Sequence, residues 1–330
     1  ANIDLTALAG QEATVRIELE GSGVSQLGRG EREISGGISE AAYLRPEGRH
    51  HLYRLTLRPW LWLSTLTSDC KIFQDQSVIE IFDTLLADYA CPVEKRLAAV
   101  TYPCPDYTVQ FNESDFHFFA RLCEEWGIVW WFEHSEGKHR LILADGLGAH
   151  HPNPSAAYQT LAYYPPSYKP DSEYIHAFDL TERVTTGATA STDWDYTRAR
   201  ADLAVTAHDP RPTGQADFEA FQWPIDSAQP KAGGGGMAGE ANQPLAEGDL
   251  LNRRRLEALR QPGQIASGEG NLRGLVTGHT FVLHKHPRQQ ANREWLILST
   301  RLLIEDVAEE SQGSSQLHNG TRVLGQTWQC

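Results

Sequence analysis

The chain has 330 residues, 40% apolar and 22% charged, enough apolar material for a sizeable core. Its 29 Lys and Arg face 43 Asp and Glu, a net charge of −14, which argues against nucleic-acid binding and against adhesion to anionic membranes. No apolar run approaches the ~20 residues of a membrane span, and the dispersed Cys70, Cys91, Cys104, Cys123 and Cys330 lack the spacing of a disulfide framework or a zinc site.

Residues 1–68 read as β. "ATVRIELEG" (Ala13–Gly21) and "HLYRLTLRPWLWLS" (His51–Ser64) alternate apolar and polar, the period of a half-buried strand. "GSGVSQLGRG" and "RPEGRHH" are turn-rich. In the second strand Tyr53, Leu55 and Leu57 point one way, and Arg54, Thr56 and Arg58 the other. Pro59 interrupts the ladder, so Trp60, Leu61 and Trp62 are expected to form a packed corner or a new strand. A chain that opens on Ala1 is expected to begin inside a longer protein.

The texture then changes. "SVIEIFDTLLADY" (Ser77–Tyr89) carries Val78, Ile81, Phe82, Leu85 and Leu86 at helical spacing, and Ser77 with Glu80 forms a capping box. Tyr107, Val109 and Phe111 begin a strand, and Asn112 or Ser114 can cap the helix that follows. In that helix Phe116, Phe119, Ala120 and Cys123 repeat at three to four residues, with Leu122 and Trp126 on the flanks. Gly127 ends it as a C′ glycine. "IVWWFEH" and "HRLILAD" predict a hairpin around "SEGK", and Gly146–Pro170 reads as loop.

Strand texture returns from Tyr174 in "YIHAFDLTERV", "TASTDWDY" and "ADLAVTA". The Gly-rich Ala228–Pro244 reads as a flexible loop, without the spacing of a phosphate loop. "EGDLLNRRRLEALR" (Glu247–Arg260) reads as a helix with Leu250, Leu251, Leu256 and Leu259 against a charged surface. "GHTFVLHKH" and "REWLILSTRLLIEDV" are the last strong strands, and the tail after Glu309 is polar. The expected organisation is mainly β with α/β inserts: β over 1–68, an α/β insert with two helices and a hairpin over 69–165, and β over 166–308. A loop and helix are inserted at 226–262, and 309–330 is a tail. Without βαβ alternation there is no Rossmann or TIM signal.

Chemical constellations are thin. Glu124 and Glu125 point about 100° apart on a helix and cannot converge on one atom. Glu113 and Asp115 lie at a helix start, where exposed N–H groups favour anions. Arg121 and Glu125 form an i,i+4 pair. His50–His51, His150–His151 and His284/His286 are the histidine pairs. An HxH on a strand puts both rings on one face, yet no further ligand completes any set. Neither metal nor organic cofactor is expected. Two classes remain: a non-enzymatic assembly protein, favoured because the strongest signals are packing signals, and a hydrolase whose site meets only in three dimensions. Stoichiometric zinc or iron in pure protein would reveal the second.

"YRLTLRPWLWLSTLTSDCKIFQDQSVIEIFDTLLADY" followed by "YTVQFNESDFHFFARLCEEWGIVWWFEH" resembles the VgrG family, valine-glycine repeat protein G of type VI secretion. "GDLLNRRRLEAL" and "LVTGHTFVLHKHPRQQANREWLILS" resemble its later strands, and the likeness runs along nearly the whole chain from "NIDLTALAGQEATVRIEL". The resemblance implies two related β-barrels per chain, as in contractile phage tail hubs. It implies a homotrimer that caps the hexameric tube of haemolysin-coregulated protein (Hcp). An OB-fold and a β-helix spike would follow beyond Cys330, with baseplate components, effectors or adaptors as further partners. Assembly in the bacterial cytoplasm and export through the type VI apparatus are implied as well, with a phage tail hub as the nearest variant. The family's first opening strands are expected to be missing from this chain. The motif positions Pro59, Trp60, Gln110, Glu113, Ser114, Asp115, Phe116, Arg121, Glu124 and Gly127 are expected to be structural, with no catalytic residue among them.

Overall fold

The computed structural model describes residues 3–21, 26–48, 50–98, 102–168, 172–195, 199–225, 244–306 and 321–329. Asp4 caps the one-turn helix α1 (Leu5–Leu8), which leads into β1 (Glu12–Leu19). β1 pairs with β2 (Gly30–Glu47), and β2 with β3 (His50–Arg58), in one antiparallel sheet. β2 runs through Arg45–Glu47, which sequence composition assigns to a turn; the reversal comes at Gly48, with φ 60°. Register shifts at Ile38/Glu40 and Tyr43/Arg45 mark bulges along β2. Ile17, Leu19 and Ile38 are buried, whereas β3 buries none of its residues and leaves Leu55 exposed. The side of β3 read as apolar is only partly covered: Tyr53 and Leu57 are half-buried, and Leu55 is exposed.

Pro59 ends β3, and Trp60–Thr65 turns as a 3-10 helix with Trp60 and Leu61 buried: a packed corner, not a strand. β4 (Ser68–Gln74) follows, then α2 (Val78–Ala87). Its capping box is complete: Ser77 N–H donates to Glu80 Oε2 at 2.7 Å, and Glu80 N–H to Ser77 Oγ at 3.4 Å. The five apolar positions predicted for its inner face are all buried. After β5 (Val93–Arg96), β6 (Tyr107–Ser114) pairs with β4, and α3 (Asp115–Trp126) begins at the Ser114 cap. Asn112, the other candidate cap, lies inside β6 at φ 50°.

The buried face of α3 is Asp115, Phe118, Phe119, Leu122 and Cys123. Phe116 is only half-buried, and Phe118, absent from the expected stripe, is fully enclosed. The cause is tertiary: Phe73 of β4 stacks on Phe118 with centroids 5.5 Å apart. β7 (Val129–Ser135) and β8 (Lys138–Ala144) form the hairpin, turning at Glu136 and Gly137, both with positive φ. β8 lies between β7 and β5, so Leu141–Ala144 is buried on both faces. Leu141 and Leu143 join the core around α2 and α3; Ile142 and Ala144 join a second cluster with Trp131 and Ala149.

The segment read as loop holds β9 (Thr160–Ala162) and a fully buried Tyr158. Next come β10 (Ile175–Glu182), β11 (Ala188–Ser191), β12 (Val205–His208) and β13 (Glu219–Gln222). The Gly-rich loop assignment falls almost wholly on residues 226–243, outside the described residues. α4 (Pro244–Arg260) starts three residues before the predicted helix and buries Leu251 and Leu256. β14 (Gln264–Gly270) and β15 (Thr280–His284) follow. The run read as one strand from Arg293 is two, β16 (Glu294–Leu296) and β17 (Ser299–Asp306). β18 (Thr321–Gln329) lies between β14 and β17, where composition predicts only a polar tail.

The later strands make three sheets, ordered β16–β15–β9, β12–β11–β13 and β10–β14–β18–β17. Phe178, Phe281, Leu283, Trp295 and Ile297 centre a core shared by the first and third of these sheets and by Leu19 of β1. The chain is mostly β, as expected, but among the described residues no sheet closes into a barrel. No described helix is long and apolar enough to cross a membrane.

Candidate functional site

The motif residues converge on a buried polar node. Asp115 follows the Ser114 cap, whose Oγ accepts from His117 N–H at 3.2 Å, and its carboxylate turns into the core. Gln110 Nε2 donates to it at 2.8 Å, Tyr89 OH at 2.8 Å and Thr67 Oγ1 at 3.1 Å. Burial pushes the Asp115 pKa up, but these three donors and the nearby Lys71 charge bring it below the ordinary carboxylate range. Tyr89 responds the other way: burial, then the bonded carboxylate, raise it to about 12. The node therefore ties β6 and α3 to the end of α2 and to the turn before β4. It holds a fixed charge with its donors already committed, which suits a structural lock and not proton transfer.

The other motif positions surround this node. Glu113 holds Arg121 at 2.6 Å, and Arg121 also donates to Val109 C=O at 3.0 Å. Arg121 therefore has a partner in Glu113, eight residues before it, that helical spacing does not suggest. Phe116 meets the edge of Trp130, and Glu124 is exposed. Gly127 has φ 67° and ψ 33°, and its N–H reaches back to the end of α3. A Cβ there would stand 2.9 Å from Cδ of Arg254 on α4, so this glycine also admits the second helix. Pro59 precedes Trp60, whose N–H donates to His139 Nε2 at 2.8 Å.

That last bond belongs to a set the sequence reading missed. The β7–β8 hairpin is clasped on several sides. Ser35 N–H of β2 donates to His134 Nδ1 at 3.0 Å, and Gly137 N–H donates to Glu33 Oε2 at 2.7 Å. Both imidazoles are acceptors here, hence neutral. Burial first, then neighbouring charge, lowers His134 to about 4, and burial lowers His139. On its other side, Glu133 takes a two-point bond from Arg96 at 2.6 and 2.8 Å and lies 3.6 Å from His279 Nε2. Trp131 stacks on His150, whose Nδ1 lies 2.8 Å from Gly278 C=O. The hairpin thus touches the first sheet, the Trp60 corner and the β15 region. "FEHSEGKH" carried the one available signal, two histidines flanking a tight turn.

The proposed histidine pairs do not assemble. Lys285 has φ 63°, which ends β15, so His284 and His286 do not share a strand face. His286 packs against Tyr163 and Phe178. Among the described residues no group of three or more His, Cys, Asp or Glu could hold a metal ion. A recess of about 320 Å³ between α2, α3 and β6 has Arg121 and Glu125 on its wall, but Arg121 is already held by Glu113.

Residues 1–308 match the family described as phage tail baseplate hub (GPD). The chain belongs to that family. This hub chain is 30% identical to the type VI secretion system spike protein VgrG1b of Pseudomonas aeruginosa over 94% of its own length and 39% of the relative's. It is 31% identical to VgrG1c of that organism, covering 94% of this chain and 40% of that one. The hub chain therefore spans about two fifths of the length of these curated relatives. Its fold is similar to an E. coli type VI secretion component described as structurally similar to the T4 bacteriophage tail proteins gp27 and gp5. That pair has a TM-score of 0.58 at 13% identity, over 96% of this chain and 68% of the other. A tail protein of Neisseria meningitidis shares the fold with TM-score 0.56 at 11% identity, over 96% and 86%. The VgrG resemblance read from the motifs is confirmed by the hub-family match and by these spike-protein relatives.

Proposed function

We propose that this chain is the structural hub of a type VI secretion puncturing device. The carrying observation is the hub-family match over residues 1–308 together with 30% identity to a VgrG spike protein along 94% of the chain. The internal chemistry supports the reading: carboxylates, arginines and histidines are committed to one another as structural locks. In this reading three copies form a ring, with the first sheet and the β10–β14–β18–β17 sheet as the related, barrel-derived parts of each. The ring docks on the Hcp hexamer, since three chains with two related parts each present six similar contacts to a sixfold tube. The motif residues Pro59, Trp60, Gln110, Glu113, Ser114, Asp115, Phe116, Arg121 and Gly127 hold the joint between those parts, with Glu124 at its surface. Spike, effectors and adaptors are carried by the rest of the longer protein, which is assembled in the cytoplasm and leaves through the type VI apparatus.

Negative-stain electron microscopy of the purified chain with Hcp rings tests this reading. Three-lobed particles seated on hexameric rings are expected. Absence of any complex with rings at low salt, by both microscopy and co-sedimentation, would overturn it.

A further inference from the structure

The recess between α2, α3 and β6 has an apolar lining and an acid on its wall that nothing in the chain answers. Val78 and Ile81 of α2 and Leu122 and Trp126 of α3 supply the lining, and Asp106 and Glu125 stand on the wall. Its volume, about 320 Å³, is at the lower end of small-ligand pockets, so it suits one long side chain and not a large cofactor.

The charges on the wall differ in how they are held. The Arg121 guanidinium is taken by Glu113 at 2.6 Å and by Val109 C=O at 3.0 Å. Among the described residues the Asp106 side chain has no hydrogen bond and no ion pair, and its Oδ1 is enclosed. A half-buried carboxylate without a donor is costly, and a charged donor relieves that cost more than a neutral one. Glu125 adds a second negative charge to the wall. Trp126 adds an aromatic surface on which a planar cation can stack.

The backbone beside the recess points to the kind of molecule that carries the cation. Among the described residues β6 pairs with β4 alone. Asp106 C=O accepts from Asp75 N–H at 3.2 Å, so it faces β4. Main-chain groups alternate in direction along a strand, so those of Tyr107 and Val109 face the opposite, unpaired edge. Val109 C=O agrees, since its donor is Arg121 of α3. Tyr107 and Val109 also line the recess. An extended peptide along this edge can bond to the Tyr107 main chain while one of its side chains enters the recess. A free small molecule has no use for that edge.

We propose that the recess takes an arginine side chain from an extended segment of a partner protein. The stem lies on Val78, Ile81 and Leu122, and the guanidinium meets the Asp106 carboxylate and the Trp126 ring. Lysine fits less well, because a compact point charge gains less from a planar carboxylate and an indole face. The proposal does not rest on the hub reading: neither the number of copies nor docking on a tube enters it.

Fluorescence anisotropy of a labelled peptide, acetyl-TVRVT-amide, tests it on the full 330-residue chain at low salt. The unlabelled citrulline and lysine versions and free agmatine serve as competitors. The arginine peptide should bind, and added salt should weaken it. Replacing arginine by citrulline, which keeps the shape and loses the charge, should weaken binding about tenfold or more, as should Asp106→Asn. Circular dichroism melting is the folding control, and Glu125→Gln takes the place of Asp106→Asn should that variant fail it. No binding of the arginine peptide overturns the proposal, as does a citrulline peptide that competes equally or a folded variant with unchanged affinity. A lysine peptide of equal affinity overturns the choice of arginine. Agmatine that competes as well as the arginine peptide makes this a site for a free cation and overturns the partner segment. Hcp rings take no part in the measurement, so the hub reading stands or falls separately.

Discussion

Asp115 shows what a single buried charge does in this chain. Its carboxylate satisfies donors from Gln110, Tyr89 and Thr67. Asp115→Ala strands all three, and urea unfolding should show a loss of about 2–3 kcal/mol. Asp115→Asn keeps one acceptor oxygen and should recover part of that; an unchanged midpoint for the Ala variant would contradict the lock. Gly127 sits at φ 67° and directly under Arg254. Gly127→Val therefore meets both a left-handed backbone penalty and a clash, and should destabilise by more than ~1 kcal/mol. Glu124 is exposed beside it, so Glu124→Gln should change stability by less than ~0.5 kcal/mol. If Glu124→Gln instead removed a measurable activity at constant melting temperature, the structural reading of α3 would fail.

At the scale of elements, the hairpin should make the fold sensitive to acid. His134 and His139 accept backbone N–H bonds, and both titrate below their ordinary value in the folded chain. Below pH ~6.5 the unfolded chain takes up protons that the folded chain refuses. Their contribution is therefore complete above pH ~6.5 and is lost as pH falls through each folded-state value, about 4 for His134. Each can contribute a slope of up to about 1.4 kcal/mol per pH unit. Urea midpoints measured from pH 7 to 4.5 should fall, and His139→Gln should flatten the fall; a pH-independent midpoint in the wild type would contradict the assignment. Much of this was legible beforehand where one segment contains its own reasons. The α2 capping box, the Gly127 stop and the hairpin are local, and the structure has them all. What could not be read depends on partners far away in sequence. Phe118 is drawn inward by Phe73, and β2 continues through a turn-like composition because β3 pairs along it. The bonds from Ser35 to His134 and from Trp60 to His139 span about 100 and 80 positions, beyond any periodicity.

For the whole molecule, docking on a tube ring and joining copies should respond oppositely to salt. Attraction of an acidic hub to a complementary ring weakens as salt rises, whereas contact between like-charged copies strengthens. Co-sedimentation with Hcp rings from 50 mM to 500 mM salt should therefore fall while self-association grows. Cys70, Cys91 and Cys123 are free thiols, so folding should proceed under reducing conditions, and thiol counting that found two bridged pairs would contradict the structure. β8 has a consequence of a different kind. Leu141 and Leu143 belong to one core, and Ile142 and Ala144 to the other, on four successive residues. That strand is a party wall: neither side can loosen without exposing the back of the other. In deuterium exchange its amides should be among the last to label, and both clusters should open in one event. In the proposed hub, a load reaching one of these cores would pass at this wall to the other, because neither can yield alone.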